Sequence, residues 1–125
     1  MKSVRSFAVA TFVFLIALSA SAQKPAFHAG QWWKDKNSVY REAFVNGFKS
    51  GMHHAAGHNT ELSSFTATVL VDGVNKFYSD FRNLNINIDD ALQYVTDQMS
   101  GVPDDTLKAH ILKLRASSVG TPVED

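Results

Sequence analysis

Three histidines lie close together in the stretch GMHHAAGH. His54 and His58 are four positions apart, a spacing that puts two imidazoles on one face of a helix, as in zinc-binding helices. Gly57 lies between them and is typical of a helix end, and Glu61 is the one carboxylate nearby. Histidines in the last turn of a helix also interact favourably with its exposed carbonyls and negative dipole end. We favour this second interpretation and predict no metal or cofactor, with His53, His54 and His58 kept as the alternative metal site.

Other catalytic residue types are poorly supported by the sequence. The chain has no cysteine, and its serines lack the G-x-S-x-G pattern of a nucleophile elbow. Two carboxylate pairs, Asp89-Asp90 and Asp104-Asp105, could act in acid-base chemistry. Each pair lies at a predicted helix start, where the positive end of the helix dipole explains its charge. We therefore predict that the protein is not an enzyme.

The first 22 residues have the pattern of a secretory signal peptide. Lys2 and Arg5 form a basic start, residues 7–18 are uncharged and mostly apolar, and Ala20-Ser21-Ala22 supplies small residues for cleavage. The apolar run is shorter than the roughly 20 residues that span a bilayer. We therefore expect a cleaved signal, a periplasmic or secreted mature protein and no stable membrane insertion after cleavage.

The expected mature chain has 125 − 22 = 103 residues, enough for one domain. Loss of Lys2 and Arg5 takes Lys+Arg from 12 to 10 against 12 Asp+Glu, a formal charge of −2. This balance, without a basic cluster, argues against nucleic acid as a partner. Because no disulfide can form, packing alone must stabilise the fold.

Hydrophobic periodicity predicts helices throughout the mature chain. Residues 23–37 have no sustained period and are predicted to be an extended arm. A first helix over 38–56 carries two stripes with four-residue spacing. The large stripe is Tyr40, Phe44, Phe48 and Met52, and the small stripe is Ala43, Gly47, Gly51 and Ala55. Since glycine costs about 1 kcal/mol in a helix interior, the small stripe predicts close approach of a second helix.

Three further helices are predicted downstream. The second covers 61–82, with apolar positions at Leu62, Phe65, Val69, Leu70, Val74, Phe77 and Phe81. The third starts near residue 88 and ends at Gly101, and the fourth opens at Asp104. Residues 117–125 are predicted to be a disordered tail. The expected architecture is all-α, a compact four-helix bundle or array formed by a single helical domain over 38–116.

Aromatic and arginine side chains are candidate partner contacts. Trp32 and Trp33 precede the first helix, and the segment KFYSDFR contributes Tyr78 and Arg82. These residue types are enriched in binding hot spots. Two structural alternatives remain open: the tryptophans cover one end of the core, and Asp80 with Arg82 forms a polar anchor for the following turn.

The order of these features resembles a known group of exported proteins. GQWW, YREAFVNGFKSG, LVDGVNKFYSDFRNLNI and DALQYVTDQMSG, over residues 30–115, resemble the Rap/Tai-type small helical proteins. That group is named for immunity proteins that block peptidoglycan amidases delivered by type VI secretion. The resemblance implies an all-helical periplasmic domain that acts by binding and not by turnover. Immunity members usually carry cysteines for disulfides, and this chain has none.

The sequence therefore favours an exported, non-catalytic domain that binds another protein, with an envelope effector enzyme as the specific partner. Trp32, Trp33, Tyr78 and Arg82 are the predicted contact residues. The competing hypothesis is a small-ligand or metal-binding periplasmic module that uses the histidine cluster.

Overall fold

The computed structural model describes residues 29–56 and 61–118. Within these ranges the chain forms α-helices and two short 3₁₀ turns and no strand, which confirms the all-α class. The helices are α1 (Ala29–Lys34), α2 (Ser38–Ala56), α3 (Ala67–Phe77), α4 (Ile88–Met99) and α5 (Asp104–Ser118), and the 3₁₀ turns are Glu61–Ser64 and Phe81–Asn83. The predicted signal peptide lies outside the described residues.

The predicted arm and tail are each wrong where the structure describes them. Residues 29–34 form α1 and are not extended. Residues 117–118 are the last of α5 and belong to an ordered helix. The remainder of both segments, residues 23–28 and 119–125, lies outside the described ranges.

The predicted second helix, 61–82, is divided into a 3₁₀ turn, α3 and a second 3₁₀ turn. Thr66 makes the first break because it is extended, with ψ at 156°, and its hydroxyl accepts a hydrogen bond from the Val69 N–H. A threonine in this conformation is a helix N-cap, so α3 begins after it. Asp80 caps the second 3₁₀ turn in the same way, through the Arg82 N–H. The other three predicted helices match α2, α4 and α5 closely.

The core is centred on α3, which packs against α2 on one side and α4 on the other, while α5 packs against α4. Side chains from all five helices and the first 3₁₀ turn join in one apolar cluster. The inner faces of α4 and α5 are formed by the buried side chains of Ile88, Ala91, Leu92, Val95, Leu107, Ile111 and Leu114.

No helix of the described residues packs on the small stripe of α2, so the predicted close approach is wrong within that part of the chain. Ala43, Gly47, Gly51 and Ala55 are exposed, and within residues 29–56 and 61–118 no neighbouring atom lies within 4 Å of a Cβ built on either glycine. The close helix approach is made instead by Gly73 of α3. No helix in the described part of the chain has the length and apolar character needed to cross a bilayer.

Helix α1 is fixed to the core by a polar network. The Trp33 indole Nε1 donates to Asn75 Oδ1 at 2.8 Å, and Arg41 Nη1 donates to the same oxygen at 2.9 Å. Arg41 also donates hydrogen bonds to the backbone carbonyls of Trp33 and Lys34. The Gly30 N–H donates to the Leu84 carbonyl at 2.9 Å. These bonds explain why a segment without an apolar period is still helical and docked.

Candidate functional site

The histidine cluster provides no metal site within the described ranges. His53 and His54 lie in the last turn of α2 with ring centroids 6.0 Å apart, beside the shallow hollow that Lys49 also lines. The Lys49 ammonium donates to the Phe65 carbonyl at this place, so a cation already occupies one side of the hollow. No group of three or more histidine, aspartate or glutamate side chains there could hold a metal ion. His58 lies outside the described residues.

Two of the four predicted contact residues are buried, which corrects their assignment. Trp33 is 1% exposed and Tyr78 is 0% exposed. Each polar tip has a partner inside the protein: the Trp33 indole binds Asn75, and the Tyr78 hydroxyl donates to the Ile86 carbonyl at 2.7 Å. Tryptophan and tyrosine are readily buried when the polar tip is satisfied. Both residues therefore hold the fold and do not present a surface to a partner.

Arg82 is exposed, and its guanidinium is held by Asp80. Arg82 Nη2 lies 2.6 Å from Asp80 Oδ2, and Arg82 Nε donates to Oδ1 at 2.9 Å. The structural alternative, a polar anchor, is therefore confirmed. Arg115 of α5, which the sequence did not indicate, donates to Asp80 Oδ2 at 3.0 Å and to Asn83 Oδ1 at 2.8 Å. The anchor thus ties the turn to α5.

The charges of this anchor support one another. The hydrogen bonds from Arg82 hold the pKa of the Asp80 carboxyl well below its usual range, and Asp80 raises the pKa of Arg82 in return. Phe81, between them, was predicted to continue the apolar stripe of the second helix but is 78% exposed. The reason is that α3 ends at Phe77, so the helical stripe does not continue to Phe81.

A groove between α2 and α4, which we call the α2–α4 groove, lies beside the core. Both helices pack on α3 and make few direct contacts with each other, which leaves space between them. Two hollows of about 510 and 530 Å³ make up the groove, and Phe48 and Asp89 line both. Its lining residues are Trp32, Phe44, Phe48, Met52, Glu61, Leu62, Asn87, Ile88, Asp89, Asp90, Gln93 and Thr96.

The floor of the α2–α4 groove is apolar and aromatic. Phe44, Phe48 and Met52 follow one another at four-residue spacing on α2 and are half-buried. They pack against the core on their inner side, and no described element covers their outer side. The Trp32 ring meets the Phe44 ring edge to face, with centroids 5.5 Å apart, and forms one end of the groove. Of the four predicted contact residues, Trp32 alone lies in this groove.

The rim of the α2–α4 groove is negative at the other end. Glu61 comes from the first 3₁₀ turn, and Asp89 and Asp90 come from the first turn of α4. Partial burial raises the pKa of Asp90, the neighbouring Asp89 raises it further, and His110 opposes the shift. None of the ion pairs formed by the described side chains involves these three carboxylates. From the sequence, the charges of Asp89 and Asp90 were explained by their place at a helix start alone. Their place along the groove was not predicted.

Comparison of the chain with protein-family models, with curated proteins and with solved structures finds no match. The properties of the site must therefore be taken from its own geometry. That geometry offers apolar contact along the floor and negative charge along part of the rim. An apolar floor with a partly charged rim suits the binding of a partner's surface. Among the groove residues, no nucleophile lies opposite a base.

Proposed function

We propose that this protein is an exported, non-catalytic domain that binds another protein through the α2–α4 groove. The observation that carries the proposal is the row of Phe44, Phe48 and Met52, which the fold leaves half-covered beside Trp32. Apolar concave surfaces bordered by polar groups mark interaction sites because their burial against a partner removes apolar area from water. Trp32 adds the residue type most enriched in hot spots.

The specific form of the proposal is an immunity-like inhibitor of a cell-envelope enzyme. The resemblance to the Rap/Tai-type proteins supports this form, and so does the predicted signal peptide. An inhibitor of this kind acts by covering the enzyme and needs no catalytic residue of its own. It needs a stable surface with an aromatic anchor and a polar border, which the groove supplies.

Export is tested by sequencing the N-terminus of the protein recovered from the cell envelope or the medium. Cleavage after Ala22 should give a chain that begins at Gln23. Recovery of a chain that begins at Met1, or recovery only from the cytoplasm, would contradict this part of the proposal without affecting the groove.

Binding is tested by capturing partners from envelope extract with the mature protein, with zinc and with chelator in parallel. The bait variant Phe48→Ala removes the centre of the floor, and Phe81→Ala removes an exposed phenylalanine that does not line the groove. We expect one stoichiometric partner that is lost with Phe48→Ala, kept with Phe81→Ala and unaffected by chelation. A thermal melt of each bait shows that it is folded.

Two results would favour a different binding site. A partner lost with Phe81→Ala and kept with Phe48→Ala would place the binding surface at the Asp80–Arg82 turn. A partner that depends on zinc and is lost with His54→Ala would favour the histidine cluster and the metal-binding hypothesis.

A further inference from the structure

We infer that the α2–α4 groove receives an amphipathic helix of the partner, with lysine or arginine beside its apolar stripe at the end near Glu61 and Asp90. The inference rests on the proposed function, because it names the kind of segment that this binding surface recognises. It follows from the shape of the floor and from the distribution of charge along the groove.

The dimensions of the floor suit a helix. Residues 44 to 52 of α2 extend for about 12 Å at 1.5 Å per residue, which is roughly two helical turns. A helix placed in the groove would lie on the outer faces of α2 and α4, with its i, i+4 and i+7 side chains on the floor. An extended segment would gain less, because neither border of the groove is a sheet edge that offers backbone hydrogen bonds.

The charge of the groove differs between its two ends. At one end, the Lys36 ammonium lies 5.2 Å from the centroid of the Trp32 ring. At the other end, Glu61 and Asp90 line the same hollow as Phe48, and Asp89 lies between the two hollows. A partner cation near Asp89 and Asp90 would offset the repulsion between them, and partial burial of Asp90 strengthens this attraction. The occupant should therefore be basic toward the Glu61 end.

The experiment uses three synthetic helical peptides of about four turns each. All three have the same leucine stripe, and the flanking positions are lysine in the first, glutamine in the second and glutamate in the third. Fluorescence anisotropy of labelled peptide measures Kd at low and high salt. We expect the lysine peptide to bind about tenfold more tightly than the glutamate peptide at low salt, with a smaller ratio at high salt.

The matched variants are two pairs of neighbouring aspartates at helix starts. Asp89→Asn with Asp90→Asn removes charge from the groove, whereas Asp104→Asn with Asp105→Asn removes the same charge from the first turn of α5. The first double variant should reduce the lysine preference to about threefold or less, and the second should leave it unchanged. Asparagine keeps the size of the side chain, and the N-cap residue of α4, Asn87, is unchanged, so both variants should fold.

The possible failures are distinguishable. Equal binding of all three peptides, weakened by Phe48→Ala, would overturn the charge preference and leave the proposed function in place. If a captured partner binds but no peptide does, the occupant is not a helix and the inference is wrong, again without loss of the proposed function. If sedimentation shows a dimer that Phe48→Ala dissociates, a second copy of this chain fills the groove, which also overturns the inference.

Discussion

The Cβ atom that Gly73 lacks would overlap Cγ1 of Val95. Carbon atoms in contact are normally about 3.5–4.0 Å apart, so a methyl group does not fit between α3 and α4 at this point. The missing side chain fixes how closely α4 approaches α3.

Gly73→Ala should lower the free energy of unfolding by about 1–3 kcal/mol, because the added methyl group overpacks the contact with Val95. Gly47→Ala and Gly51→Ala are the matched controls, since both glycines are helical and open to solvent. Each control should raise stability by about 0.5–1 kcal/mol. Urea denaturation followed by circular dichroism measures all three. A stabilising effect of Gly73→Ala would mean that α4 moves away from α3 at little cost.

Tyr78→Phe should lower the free energy of unfolding by about 1–3 kcal/mol. The hydroxyl is buried and donates to the Ile86 carbonyl at 2.7 Å, and its removal leaves that carbonyl without this donor. Tyr40→Phe removes a hydroxyl from an exposed tyrosine and should change stability little. Chemical denaturation at neutral pH compares the two variants, and equal effects would rule out a structural role for the buried hydroxyl.

Tyr78→Phe should also reduce the loss of folding stability at alkaline pH. Burial raises the pKa of Tyr78, and the charges of Asp89 and Asp90 raise it further. Because the folded pKa is raised, the contribution is fully present below the unfolded pKa of about 10 and is lost as the pH rises above it. Wild type should therefore lose more stability than Tyr78→Phe above about pH 10, as seen by denaturation at increasing pH. If wild type and Tyr78→Phe lost stability equally with rising pH, the raised pKa of Tyr78 would be contradicted.

Asp80→Asn should destabilise the protein at neutral pH and progressively less in acid. The folded pKa of Asp80 is lowered by its hydrogen bonds to Arg82, so its contribution is present above the unfolded pKa of about 3.9 and is lost as the pH falls below it. Asparagine keeps Oδ1 for the Arg82 N–H, but it puts an NH2 group in place of Oδ2, so the charge is lost together with the acceptor for Arg82 Nη2 and Arg115 Nη2. The difference in melting temperature from wild type should shrink below about pH 4 and should also shrink in high salt. A difference independent of pH would mean that shape and not charge matters at this position.

Periodicity predicts the all-α class. It also predicts α2, α4 and α5, because each of these helices has a regular apolar stripe between recognisable ends. Gly101, with φ at +84°, is one such end. Periodicity shows which face of a helix is apolar, but not whether another element covers it. Phe48 therefore has the same pattern as a core residue, although it lines a groove. The small residues Gly47 and Gly51 likewise suggested a helix contact that is made elsewhere, at Gly73.

Residue type was also insufficient to separate surface from core among the aromatic residues. Trp33 and Tyr78 have the composition of a hot spot, but each is buried against a polar partner that the local pattern does not reveal. For Trp33 that partner is Asn75, 42 positions away. Thr66 is a second case that the apolar pattern does not reveal. Its hydroxyl caps α3 and so breaks the helix, although the apolar period continues on both sides of it in the sequence. A bond between residues far apart in the sequence, such as that between Trp33 and Asn75, depends on the complete fold.

Asn75→Leu should detach α1 from the rest of the protein. Asn75 Oδ1 accepts hydrogen bonds from Trp33 Nε1 and Arg41 Nη1, so leucine leaves a buried indole N–H without its acceptor. The free energy of unfolding should fall by about 1–3 kcal/mol, and tryptophan emission should shift to longer wavelength as Trp33 becomes exposed. Because Trp32 is also on α1, binding in the α2–α4 groove should weaken.

Asn75→Asp is the matched control for this prediction, because its carboxylate keeps an acceptor for Trp33 and adds a charge that Arg41 can pair with. It should keep the emission maximum of wild type, and hydrogen exchange should show α1 still protected. If Asn75→Leu also retained protected α1 amides, the apolar contacts of Trp33 alone would hold the helix. In that case the burial of Trp33 among Phe44 and the core, and not its hydrogen bond, would position Trp32 at the end of the groove.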